Sequence, residues 1–289
     1  MHKLLVTLGT VSLLTGCSPA RSPLMPPAVS QTAAQSERAA TQNIYVTQYS
    51  NNSLTKFTLA GKQVWSITNG LTTPRAVTVD AHGKIFVANG NDTITTYDRN
   101  GNQTTPTIKS GLDQPFGVAV DHAGKIYVTN LGNDVVTTYK PDGTRTTPTI
   151  TGLDGVGGIT VDAHGKIYVV NSAGGSVQTY TPSGQRTKPT ITDGLHEPVD
   201  VKVDASGKIW VSNNKNPAAI TSYTASGKRV SPTITKALDG IYCIALSSDR
   251  IYAANKQGGN ITTYTLSEGR RTVPTIGGLG HALTGVAFH

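Results

Sequence analysis

Cysteine is nearly missing from this chain: Cys17 and Cys243 are the only two in 289 residues. A disulfide-stapled scaffold is excluded, and once Cys17 carries the modification argued below, Cys243 has no partner for an internal bridge. Long apolar runs are scarce as well. The stretch from Leu4 to Leu14 is too short to span a bilayer. Local signatures of catalysis are absent: there is no Ser-His-Asp order, no glycine-rich phosphate loop, no pair of catalytic carboxylates and no HExxH. Acidic residues are outnumbered, 17 against 25 basic, which gives a formal charge of +8. Such a charge raises the question of nucleic acid. No stacking aromatics interleave the basic positions, so nucleic acid is not the expected partner.

What the chain has is repetition. Gly111 to Gly124, GLDQPFGVAVDHAG, returns with small changes every 41 or 42 residues. Asp80, Asp121, Asp162 and Asp204 end its apolar run, and Lys84, Lys125, Lys166, Lys208 and Arg250 follow the next turn. A fixed period near forty means a repeat architecture. Each repeat holds four β-branched or aromatic pieces bounded by Gly, Asn, Asp or Pro, which are strand signals separated by turn signals. We call them A (as in Gly117-Val-Ala-Val120), B (Lys125-Ile-Tyr-Val-Thr-Asn130), C (Val135-Val-Thr-Thr-Tyr139) and D (Arg145-Thr-Thr-Pro-Thr-Ile150).

Proline fixes their order. Pro106, Pro148, Pro189, Pro232 and Pro274 all fall in strand D, and a residue without an N–H is tolerated where that side of a strand has no partner. Strand D is therefore the outer edge. Strand A, with small residues at Thr78, Ala119, Thr160, Ala245 and Ala287, suits the crowded centre. The repeats open on a B strand, Ile44-Tyr45-Val46, and finish on an A strand, Gly285-Val-Ala-Phe288, so pairing the last with the first closes a ring. The expected fold of residues 43–289 is all-β: a six-bladed β-propeller of four-stranded antiparallel blades.

Two resemblances add to this. Pro115-Phe-Gly-Val-Ala-Val-Asp121, Gly124-Lys-Ile-Tyr-Val128, Asn130, Tyr139 and Gly143 together resemble the NHL repeat, over essentially 43–289. That family implies the same propeller and leaves function open, since its members include protein-binding, RNA-binding, sensor and lyase proteins. At the other end, Leu14-Thr15-Gly16-Cys17 resembles the bacterial lipobox. The resemblance implies a signal peptide over 1–16, a mature N-terminus at Cys17 carrying lipid such as palmitate, and an anchor in the cell envelope. Ser18 in place of Asp points to the outer membrane if the source is Gram-negative. Residues 17–42, rich in Pro, Ala, Ser and Gln, read as a flexible lipidated linker.

Charge is distributed by face. Lys84, Lys125, Lys166 and Lys208 each follow a strand-A aspartate by four and are expected to pair with it across the hairpin, at about 1 kcal/mol or less each. Lys62, Arg145, Arg186, Lys228, Arg229, Arg270 and Arg271 lie at the C-to-D turns with no matching acidic row, so that face is net positive. The expected role of this row is a solubilising rim.

The opposite face gathers the D-to-A and B-to-C turns around the channel mouth, where binding sites are expected. Residues that break the repeat there are Arg75, His196, Glu197, Asp200, Tyr242 and His281, with Lys202 inside strand A. Asp200 and Lys202 share a strand face and are expected to form an ion pair. Two functions are open. A non-catalytic module binding a protein or glycan would need no cofactor. A metal-dependent lyase or hydrolase would draw a divalent ion to His196, Glu197 and His281, an arrangement similar to the His-dependent centres of propeller lyases such as virginiamycin B lyase. The protein is expected to be a monomer. His82, His122 and His164 read as turn residues, Cys243 as a small buried core residue, and Asn89, Asn130, Asn171, Asn213 and Asn255 as caps of the B-to-C turns.

Overall fold

Short β-branched segments broken by glycine-bearing turns give 24 strands between Asn43 and Phe288 and no helix among the described residues. The structure is a computed structural model that describes residues 42–289; Cys17, the leader and most of the linker lie outside the described residues. The strands form six four-stranded antiparallel sheets, as expected. Numbered by their innermost strands, the blades begin at Pro74–Val79, Pro115–Val120, Val156–Val161, Pro198–Val203, Ile241–Leu246 and Leu283–Phe288. Each innermost strand contacts that of the next blade, and the sixth contacts the first, which closes the ring.

The sixth blade joins the two ends of the propeller. Its innermost strand, Leu283–Phe288, pairs with Asn43–Gln48, with Val46 opposite Val286 and Ile44 opposite Phe288. Asn43 and His289 exchange both backbone hydrogen bonds, at 2.6 and 3.0 Å. The D strands, five of which carry a proline in mid-strand, lie at the outer edges, as the missing N–H requires. Five of the C strands place a hydroxyl against the carbonyl of that proline, as Thr138 Oγ1 does to Pro148 O at 2.6 Å.

The core lies between blades and not within them. Six hydrophobic clusters occupy the six interfaces; one joins Tyr127, Val136 and Ile150 of the second blade to Val156, Ile159 and Val169 of the third. A lone blade cannot bury both faces, so the ring is the folding unit.

The turn aspartates depart from the expected ion pairs. Asp121 Oδ1 accepts from the backbone N–H groups of Ala123 and Lys125, both at 2.9 Å, and its Oδ2 accepts from Tyr127 Oη at 3.1 Å. Asp80, Asp162 and Asp204 accept from the same pair of backbone N–H groups. With the carboxylate drawn into its own turn, the lysine turns outward over the B-strand aromatic: Lys125 Nζ sits 5.5 Å from the Tyr127 ring and Lys208 Nζ 4.5 Å from Trp210. Lys84, Lys166 and Lys208 then reach the carbonyl just before the D-strand proline. Among the described residues the ion pairs are Lys202–Asp200, Arg250–Asp249 and Arg270–Glu268.

Candidate functional site

The mouth is assembled from two scaffold devices. The first pins the entry loops. The asparagine ending each of five B strands accepts, through Oδ1, a backbone N–H of the D-to-A loop: Thr72, Asp113, Asp154, His196 and Asp239. In four of them Nδ2 donates to a C-strand threonine at 3.0 Å. C-strand tyrosines add a second tether, as in Tyr139 Oη to Ser110 O at 2.9 Å.

The second device is a bulge. In every innermost strand the register against strand B slips next to the second residue. A bulge leaves one residue without a ladder partner and re-aims its side chain. The second residues are Arg75, Phe116, Gly157, Val199, Tyr242 and Thr284, and all six line the central cavity or the groove beside it. Hydroxyls tie bulges to neighbouring blades: Thr129 Oγ1 donates to Gly157 O at 2.7 Å, Ser212 Oγ to Tyr242 O at 3.1 Å and Thr284 Oγ1 to Pro74 O at 2.6 Å.

Phe116 and Tyr242 come from opposite blades and meet over the axis, ring centroids 5.5 Å apart and planes tilted by 46°. Lys256 Nζ lies 4.7 Å from the centre of the Tyr242 ring, and Arg75 Nη1 donates to Gln114 O at 3.4 Å. Burial, with the neighbouring Cys243 sulfur adding to it and the Arg75 charge opposing it, leaves the Tyr242 phenol pushed up to about 12. It is a neutral hydrogen-bonding group at any ordinary pH.

Beneath this aromatic bar the channel narrows to a cavity of about 30 Å³, lined among others by Asp200, Lys202 and Cys243. That leaves room for about two water molecules. Asp200 is buried, and its carboxylate is fully committed. Oδ1 accepts from Lys202 Nζ and Val201 N, both at 2.9 Å, and Oδ2 accepts from Ile244 N of the next blade at 3.1 Å. The space it fills exists because Gly158 has no side chain; a Cβ there would fall 2.2 Å from Asp200 Oδ1. The expected Asp200–Lys202 ion pair is present within one strand, while the Oδ2–Ile244 bond ties the fourth blade to the fifth. The Cys243 thiol donates to Thr284 O at 3.3 Å, and burial raises its pKa further above the usual thiol range.

Beside the bar, over the third and fourth blades, lies an open groove of about 400 Å³. Gly157 in its wall lets the fourth blade approach closely: a Cβ at that position would lie 2.6 Å from Val199 O and 2.9 Å from Val170 Cγ1. Phe116, Tyr242, Leu131, Pro198 and Val199 supply apolar walls, while Glu197, Ser172 and Asn214 supply polar groups. Asn214 Oδ1 is buried and has no hydrogen-bond partner.

Arg75, Asp200 and Tyr242 are thus brought together at the mouth and Glu197 at the groove. His196 is not among them. It is exposed and borders a separate groove with Lys215, Asn216 and Arg229. His281 is also exposed, its Nδ1 2.7 Å from Gln257 O. Among the described residues no three His, Cys, Asp or Glu side chains are placed to hold a metal ion, so His196, Glu197 and His281 do not fit the divalent centre considered from sequence. Sequence reading passed over Phe116, Gly157, Val199 and Thr284. The signal was present: the second residue of strand A differs in every repeat while its neighbours recur.

No protein-family model matches the chain, and no curated protein matches it in sequence. Solved structures match it in fold. A chain of the nidogen/laminin complex aligns with a TM-score of 0.73 at 17% identity, over 86% of this chain and 98% of that one. A protein of unknown function from Bacteroides caccae gives 0.68 at 15% identity, over 86% and 98%. A catalytically inactive virginiamycin B lyase from Staphylococcus aureus with quinupristin gives 0.61 at 16% identity, over 78% of each. At such identities the likeness is one of fold: this is a six-bladed β-propeller with a groove at its mouth.

Proposed function

We propose that this protein is a cell-envelope lipoprotein, held to the membrane by lipid on Cys17, whose NHL-type propeller is a non-catalytic binding module working through the mouth. The observation that carries the reading is the groove beside the Phe116–Tyr242 pair. It falls within the roughly 300–1,000 Å³ typical of ligand sites, is mostly apolar and has a few convergent polar groups. One of the chains similar to this one in fold belongs to the nidogen/laminin complex. Against a metal-dependent lyase centred on His196, Glu197 and His281 stands that no three such side chains among the described residues are grouped to hold an ion.

A photo-crosslinking amino acid at Leu131, which borders the groove, tests the module in intact cells. Adducts formed at Leu131 and missing from a probe at Lys188, on the outer rim, are the expected result. No adduct at Leu131, or equal adducts at both positions, would reject the reading. Labelled palmitate incorporated by the normal chain and lost in Cys17→Ser tests the anchor.

A further inference from the structure

We propose that the groove beside the aromatic bar takes a neutral saccharide, whose hydroxyls donate to Asn214 Oδ1 and the Glu197 carboxylate while a C–H face rests on Phe116 and Tyr242. This rests on reading the mouth as a binding site, and names the ligand chemistry it selects.

The unpartnered acceptor comes first. Asn213 is consumed by the scaffold, with Oδ1 on His196 N and Nδ2 on Thr221 Oγ1. Asn214, the next residue, is not. Its backbone N–H donates to Glu197 O at 3.0 Å, which draws the two residues together at the groove, and its own Oδ1 is left buried without a donor. A buried acceptor without a donor is a standing penalty that an incoming O–H or N–H removes. A carboxylate is acceptor-only when ionised. This end of the groove therefore asks for donors.

Charge then narrows the ligand. An anion would meet the Glu197 carboxylate with no counter-charge lining the groove. A cation would approach a molecule of formal charge +8 past Lys256, which already sits on Tyr242. A neutral ligand avoids both. Peptides are neutral donors too, but each amide also brings a carbonyl that must find a donor. The groove offers the Ser172 and Tyr242 hydroxyls and Asn214 Nδ2 for that role, donors that a peptide carbonyl must meet at its own fixed spacing. Sugar hydroxyls serve as donor or acceptor as the partner requires. The walls complete the match, since aromatic faces and the flat surfaces of Pro198 and Val199 suit the C–H patches of a pyranose ring.

The test uses the full-length protein in a detergent without a sugar headgroup, titrated calorimetrically with five trisaccharides. Cellotriose, maltotriose and tri-N-acetylchitotriose are neutral, trigalacturonate is anionic and fully deacetylated chitotriose is cationic. We expect saturable binding of at least one neutral sugar, with the charged ones about tenfold or more weaker. Asn214→Leu and Glu197→Gln each weaken it about tenfold, while His281→Ala leaves it unchanged. Asn214→Leu removes an unpartnered acceptor, so its melting temperature should hold or rise; Glu197 is exposed, which protects the second variant from misfolding. No saturable neutral binding, equal affinity for a charged trisaccharide, or affinity unaltered in both variants would overturn the proposal. A protein adduct at Leu131 without sugar binding overturns the saccharide and keeps the module; failure of both removes both.

Discussion

Phe116 and Tyr242 stand on opposite blades, yet their rings touch over the axis at 5.5 Å between centroids. The two rings stand across the central hole, and the cavity they help to line is also lined by Cys243. A tilted aromatic pair adds about 0.5–1.5 kcal/mol beyond its buried area.

Removing both rings should expose the Cys243 thiol. In a Cys17→Ser background, Cys243 of the otherwise normal chain is expected to react slowly with a small disulfide reagent, because the thiolate is scarce and buried. Phe116→Ala with Tyr242→Ala should speed the reaction by about tenfold or more at pH 8 without unfolding the ring. Equal rates in the two proteins would show that the pair does not gate the channel.

Alkali should weaken the fold through its tyrosines. The Tyr242 phenol is pushed up to about 12, and burial raises Tyr97, Tyr139, Tyr223 and Tyr264 as well. A phenol whose folded pKa exceeds the unfolded value of about 10 contributes stability that is whole below pH 10 and is lost as pH climbs toward 12. For Tyr242 that is on the order of 2–3 kcal/mol. Urea midpoints at pH 8 and pH 11 should therefore differ less in Tyr242→Phe than in the normal protein.

Turn aspartates and their lysines should behave independently. Asp121 caps two backbone N–H groups and Tyr127, so Asp121→Ala should lower stability by about 1–2 kcal/mol. Lys125→Met, which loses only a cation–π contact, should lower it by about 0.5–1 kcal/mol. The double mutant should be additive. A coupling above about 1 kcal/mol would restore the ion pair that the geometry denies.

Asp200 should matter more than its partner. Asp200→Ala strips bonds from Ile244 N and Lys202 Nζ and is expected to lower stability by about 3 kcal/mol or more. Lys202→Met leaves the carboxylate two backbone donors and should lower it by about half as much. Chemical denaturation of the two variants ranks them directly.

Closure of the ring is open to truncation. Deleting 284–289 removes most of the innermost strand of the sixth blade and the partner of Asn43–Gln48. The expected outcome is a melting temperature lower by about ten degrees or more, from loss of several buried side chains at roughly 1.5–3 kcal/mol each. An unchanged melting curve would contradict the closed ring.

The fold was legible because repetition multiplied each weak signal. Five prolines at one position identify an edge, and an orphan A strand at the end of the chain identifies the seam. The mouth was half legible. Arg75 and Tyr242 stand out as polar residues in an apolar run, whereas Phe116 and Val199 are as apolar as the run around them. What converts them into lining residues is the bulge, a slip of register that leaves no mark on composition. His196 and His281 misled for the opposite reason. A histidine in an entry loop is conspicuous in sequence, but its direction is set by loop geometry that the pinned backbone fixes and spacing does not reveal. The aspartate–lysine spacing misled because backbone N–H groups lay closer to the carboxylate than any ammonium.

The mutual hydrogen bonds of Asn43 and His289 carry a further consequence. Where the propeller starts and stops along the chain is a matter of covalent convenience, since its two ends already behave as neighbours. Gly152 lies exposed in a turn where an added Cβ would meet nothing within 4 Å. Splicing His289 to Asn43 and reopening the backbone after Gly152 therefore leaves a circular permutant with the same six sheets and the same groove.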